Sequence, residues 1–354
     1  GLYMDLKELS QRPLKMKRNR VRRPFKGGLL LDKWQGVETP ADRYVPEEWV
    51  ASIIKAVNPD PIENEGISKV DIDAGRELLL KELIESCPEG YLGKEHFKKY
   101  GNNMGVLVKV LDSYSRLLIQ VHPDRRFAKD VFKSDFGKTE AWYIIGGRNI
   151  GDEEPYVLLG FKPGITKEKW MEMFEMQDIK GMEDALHRFV VKSGDVFFVE
   201  GGIPHAAGAG VFFMEIQEPT DITIRTERKN LEGHALADVQ LHQGAGFDKM
   251  FDCFRYKGYT REEILEQWRL RPIVVREERG GREFDIIPPG YTPYFSMKRL
   301  EVEQELVLKG DGMFSVAVVL SGTGKVAWDD GEMQIRQSEE LFLPAKIGEV
   351  TWKN

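Results

Sequence analysis

His122 closes the apolar run RLLIQVH (Arg116–His122), and His205 follows the turn Gly201-Gly202-Ile203-Pro204 after the apolar stretch Val196–Val199. Glu140 opens a further run, EAWYII (Glu140–Ile145), directly after the turn Gly137-Lys138-Thr139. Two imidazoles and a carboxylate delivered from three strands of one barrel would suit a catalytic Zn2+ that keeps one coordination position open. Strand alternation puts Leu118, Gln120 and His122 on one face, so Gln120 and His122 project together, about 7 Å apart along the backbone. The residues alone also admit a plainer reading, with hydrogen-bonded structural histidines and a Gln120 amide bonded to a neighbouring strand. Glu215 lies inside VFFMEIQ (Val211–Gln217), where an unpaired carboxylate would be costly, and this marks it as a site candidate. Trp142 and Tyr143 could wall a pocket or simply fill the core.

The elements that must position these groups are short. GVLVKVLD (Gly105–Asp112), Arg116–His122, Glu140–Ile145, PYVLLGF (Pro155–Phe161), GDVFFVEG (Gly194–Gly201) and Val211–Gln217 are rich in β-branched and aromatic residues and bounded by turn formers. They predict strands. Helical spacing appears over Gly75–Ser86, Thr166–Gln177, Met182–Val190 and Arg261–Leu270. Strands and helices do not alternate regularly, which argues against a doubly wound sheet and for a sandwich or jelly roll. A second strand-rich block follows, with Phe314–Gly322, Gly324–Ile335 and Glu339–Trp352 as its strands. SGDVFFVEGGIPH (Ser193–His205) resembles QSEELFLPAKIGE (Gln337–Glu349), with Glu349 where the first copy has His205. Two related barrels, one of them metal-free, are expected from that repeat.

Gln120-Val121-His122-Pro123-Asp124, Gly137-Lys138-Thr139-Glu140-Ala141-Trp142-Tyr143, Ile203-Pro204-His205-Ala206 and Glu215-Ile216-Gln217 follow in order. Thr220-Asp221 and Thr223-Ile224-Arg225 complete the series. Together they resemble the class I mannose-6-phosphate isomerases, zinc-dependent members of the cupin superfamily. The resemblance implies a mainly β bicupin, two jelly-roll-type barrels with helical insertions. Its catalytic domain would span residues 1–240, and residues 241–354 would hold a connecting helical segment and a metal-free cupin-like domain. It further implies Gln120, His122, Glu140 and His205 as zinc ligands, with Arg225, Lys138, Glu215 and Asp221 as catalytic or substrate-site residues. The implied reaction interconverts mannose 6-phosphate and fructose 6-phosphate through a cis-enediol(ate). Thr226-Glu227-Arg228-Lys229 departs from the run usual after the matched arginine. The departure keeps open a rival, a metal-binding cupin that recognises a sugar or sugar phosphate without turning it over.

Composition sets the remaining limits. Lys and Arg total 51 against 58 Asp and Glu, a net charge of −7 that disfavours a nucleic-acid partner. No apolar run approaches a membrane span, no apolar leader is visible, and two cysteines make no disulfide framework, so a cytoplasmic protein is expected. The exception is KMKRNRVRRPFK (Lys15–Lys26), which carries seven basic residues and reads as a solvated arm laying its aliphatic stems on the fold.

Overall fold

The computed structural model describes residues 5–73 and 75–354. Its larger part is two antiparallel sheets that share a hydrophobic core. One sheet is seven-stranded, in the order Arg269–Leu270, Val196–Val199, Glu140–Gly147, Val211–Gln217, Leu107–Asp112, Glu47–Val50 and Arg20–Val21. The other is five-stranded, in the order Leu186–Val190, Tyr156–Phe161, His205–Ala207, Gln120–Val121 and Ile224–Arg225. Trp142, Val196, Phe197 and Phe213 from the first pack in one cluster with Val157, Leu159, Phe189 and Ala207 from the second. Burial on both sides explains why Leu107–Asp112 and Tyr156–Phe161 read as continuous apolar runs rather than alternating ones.

Helices cover the outside of this pair. Lys167–Met176 starts at Thr166, whose side chain accepts from Lys169 N, and buries Trp170 and Phe174 in a second cluster with Phe161, Phe251 and Phe254. Arg261–Gln267 opens with a capping box between Thr260 and Glu263. The chain after residue 271 forms smaller antiparallel sheets. One joins Ile273–Glu278, Gly281–Ile287 and Met297–Val302, and another joins Glu305–Leu308, Val350–Lys353, Thr323–Trp328 and Gly331–Arg336. A third, Leu14–Lys15 with Glu340–Leu343 and Ser315–Val318, pairs the two ends of the chain.

Four expectations need correction. Gly75–Ser86 is not one helix: Arg76–Leu79 pairs as a strand with Lys69–Asp73, and the helix occupies Leu80–Ser86. Met182–Val190 divides too, into the end of the helix Ile179–Asp184 and the strand Leu186–Val190. In that strand Phe189 is buried while Arg188 and Val190 are exposed, so the strand's twofold period overrides the helical one. Arg261–Leu270 ends as the strand Arg269–Leu270, which extends the seven-stranded sheet. The arm Lys15–Lys26 is solvated only in part, with Lys17, Arg18 and Lys26 exposed and Arg23 buried, and most of its cations are paired. Lys15 pairs with Glu339, Lys17 with Glu77, Arg18 with Glu340, Arg20 with Asp32, Arg22 with Glu65 and Arg23 with Glu47 and Asp221. Its charge is spent on stitching the arm between the terminal sheet and the seven-stranded sheet.

Candidate metal centre

Only Gln120–Val121 of the run Arg116–His122 is ladder-paired, with His205 opposite Gln120 on one side and Arg225 opposite it on the other. Directly opposed residues of an antiparallel pair project to the same side, so His205, Gln120 and Arg225 form one row of the five-stranded sheet. The seven-stranded sheet supplies a second row, Phe197, Trp142, Glu215, Lys109 and Trp49, each opposite the next. Glu140 stands one pleat along, opposite Gln217. Charged residues inside a sandwich need a reason, and these rows bring several together.

His122, Glu140 and His205 meet at the centre, all buried. The two Nε2 atoms are 3.2 Å apart. Glu140 Oε2 is 3.4 Å from His122 Nε2, and Glu140 Oε1 is 3.2 Å from His205 Nε2. On its other side each imidazole faces a backbone carbonyl, His122 Nδ1 at 3.0 Å from Ile222 O and His205 Nδ1 at 2.9 Å from Ile203 O. A carbonyl only accepts, so Nδ1 carries the proton in both rings and both Nε2 lone pairs point inward. Burial, with Lys138 next in effect, pushes His122 down to about 3, so its ring is neutral at ordinary pH. Trp142 Nε1 donates to Glu140 Oε1 at 3.1 Å, while Oε2 is buried with no hydrogen bond. Two bare imidazole nitrogens and an orphaned carboxylate oxygen converging on one point would repel one another without a cation. The donor set fits a divalent metal with two nitrogen ligands and one oxygen ligand.

Gln120 stands beside this trio. Its amide nitrogen donates to Leu118 O at 2.8 Å, which identifies the amide's oxygen end. Lys138 is buried and donates to Thr223 Oγ1 at 3.2 Å; burial and the neighbouring Lys109 bring its ammonium down to about 8. Glu215 is buried beside Glu140, and both effects hold its carboxyl well above the usual range. Asp221 is held the opposite way. Burial would raise it, but Arg23, Lys109 and Lys138 outweigh that and keep it ionised. Arg225 donates to Gln240 O at 2.8 Å and forms no ion pair among the described residues. Burial, and then Arg23, lower its guanidinium to about 10, an unusual value for a group so basic.

The sequence reading missed three members of this network. Lys109 sits in GVLVKVLD, and the argument that singled out Glu215, a charge inside an apolar run, would have found it. Glu47 and Arg23 carry no comparable signal, since one opens the short strand Glu47–Val50 beside a second glutamate and the other lies in a charge-rich arm. The departure after Arg225 has a structural explanation. Glu227 is fully buried, bonded to Arg116 at 2.7 and 2.8 Å and to Ile119 N at 2.7 Å, while Thr226 Oγ1 donates to Ile119 O at 3.1 Å. These contacts pin the segment that leads into Gln120.

Residues 62–140 match the family model for the phosphomannose isomerase type I catalytic domain. Over that stretch the chain is similar to the type I phosphomannose isomerases. The Bacillus subtilis (strain 168) protein named "Probable mannose-6-phosphate isomerase GmuF" is 29% identical over 265 residues, covering 73% of this chain and 76% of its own length. A mannose-6-phosphate isomerase of Streptococcus mutans is 26% identical over 272 residues, 75% of this chain and 77% of that protein. Among solved structures, the mannose 6-phosphate isomerase of Bacillus subtilis superposes with a TM-score of 0.73 at 24% identity, covering 97% of each chain. A variant of phosphomannose isomerase from Salmonella typhimurium gives 0.72 at 15% identity over 96% of each. At such identities the likeness to these isomerase structures establishes the fold, and the local geometry must carry the chemistry.

Proposed function

We propose that the protein is a zinc-dependent aldose–ketose isomerase that interconverts mannose 6-phosphate and fructose 6-phosphate through a cis-enediol(ate). The observation that carries this reading is the convergence of two bare imidazole nitrogens and an orphaned carboxylate oxygen beside a half-buried arginine that forms no ion pair among the described residues. His122, Glu140, His205 and the amide oxygen of Gln120 would hold the zinc. Bound there, the metal supplies Lewis-acid stabilisation for the negative charge that develops on the sugar oxygens.

The isomerisation removes the proton from C2, leaves an enediol shared between C1 and C2, and returns a proton to C1. Arg225 is available to an anionic substrate because no carboxylate among the described residues lies within ion-pair distance of it, and it would hold the phosphate or the enediolate charge. Lys138, near 8, is the site cation closest to neutrality, which suits an exchange of protons with a sugar hydroxyl. Glu215, with its pKa raised, retains a proton and can donate it, whereas Asp221 stays ionised and can only accept. The surrounding barrel walls exclude water and strengthen each of these interactions.

The same reading makes the fold a bicupin with two jelly-roll barrels, divided into residues 1–240 and 241–354. The internal repeat and the separate core cluster around Val326, Leu341 and Val350 support that division. It places the reaction in the cytoplasm, supported by the free thiols Cys87 and Cys253. Among the described residues no helix is long and apolar enough to cross a membrane. The deciding experiment is a coupled assay for fructose 6-phosphate formed from mannose 6-phosphate, with zinc-loaded and chelated protein. Turnover lost on chelation and restored by zinc is expected. A folded, zinc-loaded protein that binds the sugar phosphate without turnover would replace the isomerase with a sugar-phosphate sensor.

A further inference from the structure

The Asp221 carboxylate is held from several sides, and its main partner comes from 198 positions away in the sequence. Arg23 NH2 donates to Asp221 Oδ1 at 2.9 Å and Arg23 NH1 to Oδ2 at 3.2 Å, a two-point grip. Arg23 Nε donates to Glu47 Oε2 at 3.1 Å, and NH1 also reaches Val57 O at 3.3 Å. Both carboxylates and the guanidinium are nearly inaccessible to solvent. The remaining capacity of Asp221 goes to Val57 N, which donates to Oδ2 at 2.9 Å, and to Lys109, whose Nζ lies 3.6 Å from Oδ1. Lys109 has no other carboxylate within ion-pair distance among the described residues, and it stands opposite Glu215 in the sheet. A chain of ion pairs therefore runs from Arg23 through Asp221 to Lys109, which stands opposite Glu215, the neighbour of Glu140.

Arg23 reaches this place because the arm is held at two earlier points. Leu14 and Lys15 pair with Phe342 and Leu341, and Arg18 NH1 and NH2 donate to Ser338 O and Ser338 Oγ at 2.5 and 2.6 Å. Arg20 and Val21 then pair with Glu48 and Glu47 at the rim of the seven-stranded sheet. The edge strand of the seven-stranded sheet and the C-terminal sheet thus share one stretch of backbone.

We infer that Arg23 is a positioning residue for the isomerisation: carried on this arm, it fixes the Asp221 carboxylate and, through it, the ammonium of Lys109 opposite Glu215. It does not touch the metal ligands in any described contact and is not a catalytic residue. The inference builds on the isomerase reading given above. A bidentate guanidinium grip fixes both position and orientation, which a single ammonium does not. Sub-ångström placement of groups around a reacting centre is worth orders of magnitude in rate.

The test compares Arg23→Gln, Arg23→Ala and Arg23→Lys in zinc-loaded protein, reading kcat and KM for mannose 6-phosphate, bound zinc per chain and hydrogen exchange at the Val57 amide. The expected result is a fall in kcat of about 100-fold for the Gln and Ala variants with KM changed less than about threefold. Bound zinc should remain at the wild-type level, and Lys should restore part of kcat. Native kcat in the Gln and Ala variants would overturn the inference, as would a loss of kcat matched by lost zinc or lost folded protein. If wild-type protein shows no isomerisation, the isomerase reading fails by itself. The Val57 amide then decides the positioning role: faster exchange in the Gln variant and near-native protection in the Lys variant sustain it, and unchanged exchange in both removes it.

Discussion

Lys109 and Glu215 face each other across two adjacent strands in the interior of the sheet sandwich, each only a few per cent exposed. A directly opposed pair on one sheet face is the closest side-chain neighbourhood an antiparallel ladder offers. Glu215 holds a raised pKa on account of its burial and of Glu140, while Lys109 balances Asp221. The pair therefore links Glu140 of the candidate metal centre to the ionised Asp221 across one sheet face.

Coupling across that pair should be measurable. Lys109→Met, Glu215→Gln and the double variant form a cycle in urea unfolding, and residues in direct contact within one network show interaction energies of about 0.5–3 kcal/mol. Strict additivity would mean that the two side chains titrate and pack independently.

Metal and turnover should separate cleanly by residue. His122→Ala and His205→Ala are each expected to lose bound zinc together with activity, because each imidazole offers its Nε2 lone pair to the centre. Arg225→Ala should retain zinc and lose about 100-fold or more in kcat, since its guanidinium lies outside the ligand trio and has no ion-pair role to forfeit. Atomic absorption on purified variants gives the metal result, and stoichiometric zinc in the double histidine variant would refute the site.

A second carboxylate pair controls how stability depends on pH. Glu340 from the C-terminal sheet and Glu48 from the seven-stranded sheet are both buried. Burial, and then Glu48, hold the Glu340 carboxyl well above the usual range, with Arg18 only partly opposing them. For an acid whose folded-state pKa is raised, the stabilising contribution is complete below the unfolded value and is lost as pH rises toward the folded one. Wild-type stability should therefore decline from pH 5 to pH 8 through this group. Glu340→Gln should flatten the decline and be the more stable protein at pH 8 by about 1–3 kcal/mol, as uncompensated buried charges cost several. Urea midpoints at the two pH values check this, and a parallel decline in the variant would show that Glu340 is not the responsible group.

Glu227→Ala should damage the protein by a different route. It removes both hydrogen bonds from Arg116 to Glu227, leaving Glu183 at 3.4 Å from Nε as the remaining carboxylate, and frees the Ile119 amide; breaking a buried pair costs about 3–5 kcal/mol, and the retained Glu183 puts the loss at the lower end. Thermal unfolding should show the loss, with zinc still bound in the fraction that remains folded. Near-native stability would mean that the pair is solvated in solution.

The metal trio was legible in the sequence because each member sits at a local landmark. His122 ends an apolar run, Glu140 follows a Gly-Lys-Thr turn and His205 follows a Gly-Gly-Ile-Pro turn. The strands Leu107–Asp112, Glu140–Gly147, Tyr156–Phe161 and Val211–Gln217 were legible for a similar reason, since apolar runs of that length bounded by turn residues have few other uses. Where two periods overlapped, as in Met182–Val190, the hydrophobic pattern could not say which residues had a partner strand to pair with.

Sequence by itself determined the kinds of residue available for chemistry and the short segments that carry them. Tertiary structure decided their neighbours. Arg23 and Asp221 are 198 positions apart, and only the register Arg20 with Glu48 and Val21 with Glu47 brings the guanidinium to the carboxylate. Sheet register sets which side chains oppose each other, and a shift of one residue would turn Lys109 and Glu215 to the other face. The basic arm illustrates the same division: its charge was evident from composition, while the buried carboxylates paired with it, Glu47, Asp221 and Glu340, come from distant parts of the chain.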